Sequence, residues 1–200
     1  MENDNIGMED KEIIKKAFEK GQQYEARATD CCQSAIAAIQ EAVGCLNDEI
    51  LRAGSPFAGG LGFSHQGTCG ALVGASMVLG QLYGRTRQEF DSDAERDIND
   101  PDFDYVKATK GWDLAYELFE RFIIEYGSCI CKDVSEKVLG PGIKGTEFIH
   151  PGSPNKRILN EKLVEIRGIG SHDMEGCPTV VGNAAKWATE IIIRQGIPDK

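Results

Sequence analysis

Residues 67–84 read GTCGALVGASMVLGQLYG, and the reading of this stretch decides the fold. It is uncharged, free of proline and helical in pattern. Thr68 is placed to cap it, since a threonine hydroxyl can accept from an unpaired N–H of the first turn. That assigns Cys69 to the first helical position, where the free N–H groups and the positive dipole end favour an anionic sulfur. Gly70 and Gly74 stand four apart on one face with Ala71 and Ala75 beside them, so a backbone or a compact cofactor can come close. A thiol with a lowered pKa beside a smooth surface is a candidate for chemistry.

Immediately before it, GSPFAGGLGFSHQG (54–67) is a tight glycine-rich loop. It has no following Lys-Ser/Thr and no preceding strand, which argues against a phosphate loop. His65 lies in it, four residues before Cys69. Further upstream, CCQSAIAAIQEAVG (31–44) carries Cys32, Ala35, Ile36, Ile39 and Val43 at helical spacing, opened by the capping pair Thr29 and Asp30 and stopped by Gly44. Lys11 to Arg27 predict a helix with Ile13, Ile14, Ala17, Phe18 and Tyr24 on one side and charges elsewhere, and Asn47 to Arg52 a short one. Downstream, Arg85 to Asp104 is an acidic stretch expected to be a solvated insertion. Asp100-Pro101 has the form of a helix start, and Leu114, Ala115, Leu118, Phe119, Phe122, Ile123 and Tyr126 form a strongly amphipathic pattern. Trp112 and the other aromatics are expected in the core. Cys129 and Cys131 fall in a short helical turn, and residues 140–157 are a loop dense in glycine and proline. EKLVEIRG (161–168) is open between helix and strand. Cys177-Pro178 opens a final helix that Gly196 ends.

No strand ladder and no internal repeat emerge. The expected architecture is all-α, a single domain over residues 1–200 with four to five main helices in an irregular bundle and long loops. Composition is that of an ordinary soluble protein, 41% hydrophobic and 27% charged, with a net charge of −10. That acidity makes nucleic acid and anionic lipid poor partners. The acidic N-terminus lacks the apolar core of a secretory signal, and no segment reaches the ~20 apolar residues of a spanning helix, so a cytoplasmic location without membrane insertion is expected. Seven cysteines without a signal then point to metal binding or redox thiols over a disulfide framework.

Six of these cysteines fall at or beside a predicted helix start, in four groups: 31/32, 69, 129/131 and 177. Buried cysteines that merely fill space carry no such preference. Four converging helix starts would form an electropositive pocket lined with sulfur. An iron–sulfur cluster fits such a pocket, because thiolates hold it and N–H donors stabilise its sulfurs. Zinc also takes four thiolates but usually from paired knuckles, and a dithiol couple would use Cys69 as attacking thiolate. His65 is a weaker candidate as ligand or proton donor. His150 and His172 show no metal spacing.

These residues resemble the C-GCAxxG-C-C family, small bacterial and archaeal proteins described as redox-active, with four characteristic cysteines around a CGAxxG motif. Cys69-Gly70-Ala71-Leu72-Val73-Gly74 matches that motif at every specified position. Asp30-Cys31-Cys32-Gln33-Ser34 is similar to the family's Asn-Cys-Ala-Gln-Ala, which puts Cys31 in the family position. Gly127-Ser128-Cys129-Ile130-Cys131-Lys132 resembles its Gly-Ser-x-x-Cys-Arg and selects Cys131, and Cys177-Pro178 looks like its C-terminal cysteine. The resemblance covers about 25–84, 105–134 and 175–195 within a family-like core of about 25–195. The acidic insertion at about 85–104 and the region from about 140 to 172 look like additions. A further likeness, to the non-haem domain of split-Soret cytochromes, implies an iron–sulfur site.

The resemblance thus implies a [2Fe–2S] cluster on Cys31, Cys69, Cys131 and Cys177, with Gly70, Gly74 and His65 beside the cofactor, used for electron transfer or redox sensing. The alternatives are thiol–disulfide chemistry at Cys69 and a zinc-stabilised helical interaction module. A redox partner protein and possible homo-oligomerisation are expected, and no residue is assigned as general acid or base.

Overall fold

Five long helices make the body of the protein: α1 (Met8–Ala28), α2 (Cys31–Val43), α4 (Gly70–Tyr83), α6 (Tyr105–Tyr126) and α8 (Cys177–Gln195). Three short ones join them: α3 (Asp48–Gly54), α5 (Arg87–Ala94) and α7 (Cys131–Leu139). The structure is a computed structural model and describes residues 7–28, 30–97, 100, 104–140 and 174–198. Among these there is no strand, only an isolated antiparallel bridge between Thr68 and Ile130. The fold is all-α, with more helices than the four or five expected because the connections themselves coil.

Local chemistry fixes most helix ends. Asp30, Asn47 and Asp104 each accept from the backbone N–H three residues on, at 3.0 Å, which satisfies a first-turn donor. Gly44 and Gly127 close α2 and α6 in the left-handed conformation, where lacking a Cβ removes the steric penalty.

The long helices are ordered by direction. At the ends of α2, α4 and α8, the Gln40 amide donates to Gln81 (2.7 Å), Gln81 donates to the Cys45 carbonyl (2.7 Å), and the Tyr83 hydroxyl donates to the Gly196 carbonyl (2.8 Å). These three helices therefore run parallel, and their starts meet at the opposite pole. Helices α1 and α6 run the other way. Near the start of α8, Gln22 donates to Thr179 and Asn183 to the Tyr126 hydroxyl; near its end, Arg194 pairs with Glu117. Between the poles lies the apolar core of Ile36, Ile39, Val78, Leu79, Leu118, Phe122, Val181, Ile191 and Ile192, all fully buried.

The acidic segment is a solvated connection, with no residue of α5 buried, and Thr86 and Glu89 form a reciprocal capping box that opens that helix. One expectation is corrected. Trp112 is not in the core: it is 65% exposed, with the Arg85 guanidinium 5.9 Å from its ring centre. Helix α6 buries the stripe Leu114, Leu118, Phe122 and Tyr126, and Trp112 falls off that face. The expectations for Thr29, Pro101, residues 141–157, residues 161–168, His150 and His172 lie outside the described residues. No described helix is long and apolar enough to cross a membrane.

Candidate functional site

The glycine loop and the turn before α7 are built together. Gly59, Gly60, Leu61, Gly62, Phe63 and His65 all take positive φ, coiling the loop so that the Gly67 N–H reaches the Gly60 carbonyl at 3.1 Å. The loop then pairs with the neighbouring turn: Cys69 N–H donates to the Cys129 carbonyl (2.7 Å), Cys131 N–H to Gly67 (2.9 Å) and Lys132 N–H to His65 (3.0 Å). These bonds bring the starts of α4 and α7 side by side. They also correct the reading of residues 68–69. Thr68 is held in the bridge to Ile130, so it does not cap α4; the helix begins at Gly70 and Cys69 takes the cap position with extended ψ.

Cys31, Cys131 and Cys177 each open a helix, and Cys69 immediately precedes one. A Cβ on Gly70 would lie 2.5 Å from the Cys31 sulfur and 2.8 Å from the Phe57 carbonyl. Glycine there is what allows the starts of α2 and α4 to touch. Gly74 lies against backbone, since its Cβ would collide with the Cys32 carbonyl; its role is to let α2 and α4 pack closely. Cys32 is buried in the core, Cys45 is buried at the far pole, and Cys129 contributes its carbonyl. All seven cysteines are free thiols.

The four helix-start sulfurs share one electrostatic neighbourhood. Burial pushes Cys31 and Cys177 well up, Cys69 up to about 12, and Cys131 up. Their negative forms also repel one another: Cys69 and Cys177 raise Cys31, Cys131 raises Cys69, and Cys69 and Cys131 raise Cys177. The expectation of a lowered pKa at Cys69 is therefore overturned. The N–H groups of Ala71 and Leu72 do favour its thiolate, but desolvation wins. In the bare chain these sulfurs are neutral thiols at neutral pH.

Sequence reasoning missed the residue that links all four. Glu25, near the end of α1, raises the pKa of Cys31, Cys69, Cys131 and Cys177 alike. Its Oε2 is buried without a hydrogen-bond partner. Burial first, and then Asp30, push its own carboxyl up to about 7, against a lesser pull from the Ser34 hydroxyl. Ser135 was missed as well. It donates to the Cys131 carbonyl (2.7 Å), lies 3.8 Å from the Cys131 sulfur, and its hydrogen bond lowers Cys177. Tyr126 stands nearby, its hydroxyl pushed up to about 12 chiefly by burial and further by Cys69 and Cys177. His65 is buried, with Nδ1 3.6 Å from the Cys131 sulfur, and burial lowers its pKa.

The sulfurs share a region without meeting at a point. Among the described residues, no three His, Cys, Asp or Glu side chains close together as a single bound ion requires.

Comparison with known families follows from this geometry. The family described as "Putative redox-active protein (C_GCAxxG_C_C)" matches residues 29–191, and the chain belongs to that family. The match runs through all four helix starts and through the glycine loop between them. Neither a curated protein nor a solved structure matches the chain.

Proposed function

We propose that this protein is a one-electron carrier or redox sensor that holds a [2Fe–2S] cluster on Cys31, Cys69, Cys131 and Cys177. The observation that carries the reading is the electrostatic coupling of four sulfurs contributed by four separate helix starts. Cysteines that only fill a core have no reason to gather at helix starts in this way.

Three features of the residues support the fit. The parallel helices α2, α4 and α8 aim their positive dipole ends at the same pole, and such potential stabilises anionic thiolates. The sulfurs are protonated and buried in the bare chain, so they are poor nucleophiles, yet a bound metal deprotonates a coordinating thiol outright. That disfavours Cys69 as the attacking thiolate of a dithiol couple. A single zinc, with bonds of ~2.3 Å, would draw four sulfurs to about 4 Å from one another, and among the described residues no three such side chains are grouped to hold one ion. A polynuclear cluster fills the middle of the site itself and takes sulfurs set wider apart.

When bound, the cluster supplies reversible uptake of a single electron, at a potential set by charge, sulfur hydrogen bonds and exposure. The chain's own part is to bury the site, supply the N–H groups of Ala71, Leu72 and Gly59 around the sulfurs, and fix the Cys131 side with Ser135. Electrons would be exchanged with a partner protein.

The test is anaerobic purification with iron and acid-labile sulfide measured against protein, and a visible spectrum. Coloured protein with stoichiometric iron and sulfide is expected. Serine at any of the four positions should remove most of both, whereas serine at Cys32, Cys45 or Cys129 should not. A colourless preparation free of iron and sulfide overturns the reading.

A further inference from the structure

His65 stands at the end of a loop folded against the usual preference of its residues. From Gly59 to Phe63 the backbone keeps a positive φ through a left-handed coil, and His65 itself sits at φ 60. Leu61, Phe63 and His65 take this conformation without being glycines, which costs energy and persists only where the surroundings fix it. Two backbone bonds fix His65: its N–H donates to the Gly59 carbonyl (2.9 Å), and its carbonyl accepts from the Lys132 N–H (3.0 Å) at the start of α7. Gly60 shows how closely the loop lies on that turn, since a Cβ there would be 2.7 Å from the Cys131 Cβ. The imidazole is thereby held, 8% exposed, with Nδ1 3.6 Å from the Cys131 sulfur, within hydrogen-bond reach of an atom of sulfur's size.

Counting protons decides which atom donates. Ser135 has one hydroxyl proton and gives it to the Cys131 carbonyl at 2.7 Å. At its 3.8 Å contact with the Cys131 sulfur the serine oxygen is left to accept, and the S–H turns to it. A thiol has no second proton, so the contact with His65 needs its hydrogen on Nδ1. We propose that His65 is the positioning residue of Cys131: its Nδ1–H donates to the sulfur, fixes that side chain's rotamer and stabilises negative charge on it. The hydrogen bond belongs to the bare chain; its consequence for the electron rests on the reading of Cys131 as a cluster ligand. A donor to a ligand sulfur favours the state with the more negative charge, and so raises the affinity for the electron.

Nitrogen-15 NMR of the metal-free wild-type chain reads the ring directly. A proton on Nδ1 is expected, and a neutral ring protonated on Nε2 alone overturns the proposal. The wild-type chain loaded anaerobically with iron and sulfide is then compared with H65L, H65G and H65N, by iron loss to a chelator and by midpoint potential. Leucine removes the donor and keeps bulk, and glycine removes it while relieving the left-handed backbone. Asparagine tolerates that backbone and keeps an N–H donor close to the position of Nδ1. H65L and H65G are expected to lose iron about tenfold faster than wild type. They should also hold the electron about tenfold less tightly, a fall of about 59 mV, while H65N stays near wild type. Wild-type values in H65L and H65G overturn the proposal, and so does an H65N as impaired as H65L, since the ring would then serve only by its shape. Should H65L fail to fold, H65G and H65N carry the comparison. If the wild-type chain takes up no iron and sulfide, it is the cluster reading that fails, and the NMR result alone decides the hydrogen bond.

Discussion

The two poles of the bundle solve the same problem in opposite ways. Helices α2, α4 and α8 end together at one and start together at the other, and both poles bury polar atoms. At the helix ends, Gln40 bonds Gln81 and the Asn47 carbonyl, Gln81 bonds Cys45, and Tyr83 bonds Gly196. At the helix starts, the chain leaves Glu25 Oε2 without a partner and four thiols pushed up in pKa by burial, three of them (Cys31, Cys69 and Cys177) also by neighbouring thiols. One network is complete within the protein. The other is unfavourable in the bare chain, a condition expected where a bound group completes the site. The lesson is that buried polar groups should be read by whether the chain itself satisfies them.

Changing pH sharpens this contrast most. Glu25 sits at about 7 in the folded chain against an ordinary value of 4.5, so the folded state binds the proton more tightly. The metal-free protein should therefore lose stability to this group as pH rises from 4.5 through 7, by roughly 3 kcal/mol in all, with no further change above. Urea titrations of metal-free wild type and E25Q across that range should diverge by this amount, E25Q becoming relatively more stable. Parallel curves would show that the sulfur pole carries no such burden.

Gly74→Ala comes next. Its Cβ would press on the Cys32 backbone, which cannot move as a flexible side chain would. A loss of about 2–3 kcal/mol is expected, together with poor iron loading, because Cys31 is carried by the same turn. Retained loading at wild-type stability would mean that the helices need not pack so closely.

At the far pole, Gln81→Ala takes from the Gln40 amide one of its two acceptors, leaving the Asn47 carbonyl, and from the Cys45 carbonyl the Gln81 donor. Removing a partner from buried polar groups costs about 1–2 kcal/mol, and iron content should stay unchanged. Here a polar deletion destabilises, the reverse of E25Q, so a stabilised Gln81→Ala would break the comparison. The smallest effect is expected at Thr86→Ala, which removes the cap of α5 for about 1 kcal/mol or less and leaves both poles untouched. Chemical denaturation reads it directly.

Much of this protein was legible in its sequence for a local reason. Helix ends are set by residues three or four apart, so Asp30, Asn47, Gly44, Gly127 and Gly196 announced their elements. Where a local signal met a longer-range contact, the contact won: Thr68 gave up its capping role because its backbone pairs with Ile130. Glu25 was visible as the next member of the stripe Ile14, Ala17, Gly21, yet a glutamate four residues on reads as part of a charged face until its neighbours are known.

By itself, then, the sequence determined an all-α chain with cysteines at four helix starts, because capping and periodicity act within one or two turns. Only the tertiary structure decided that the helix starts carrying Cys31, Cys69, Cys131 and Cys177 gather at one pole, that burial keeps the protons on these sulfurs, and that Oε2 of Glu25 is buried without a hydrogen-bond partner. Those facts depend on desolvation and charge coupling between segments up to about 150 residues apart, which no local pattern records.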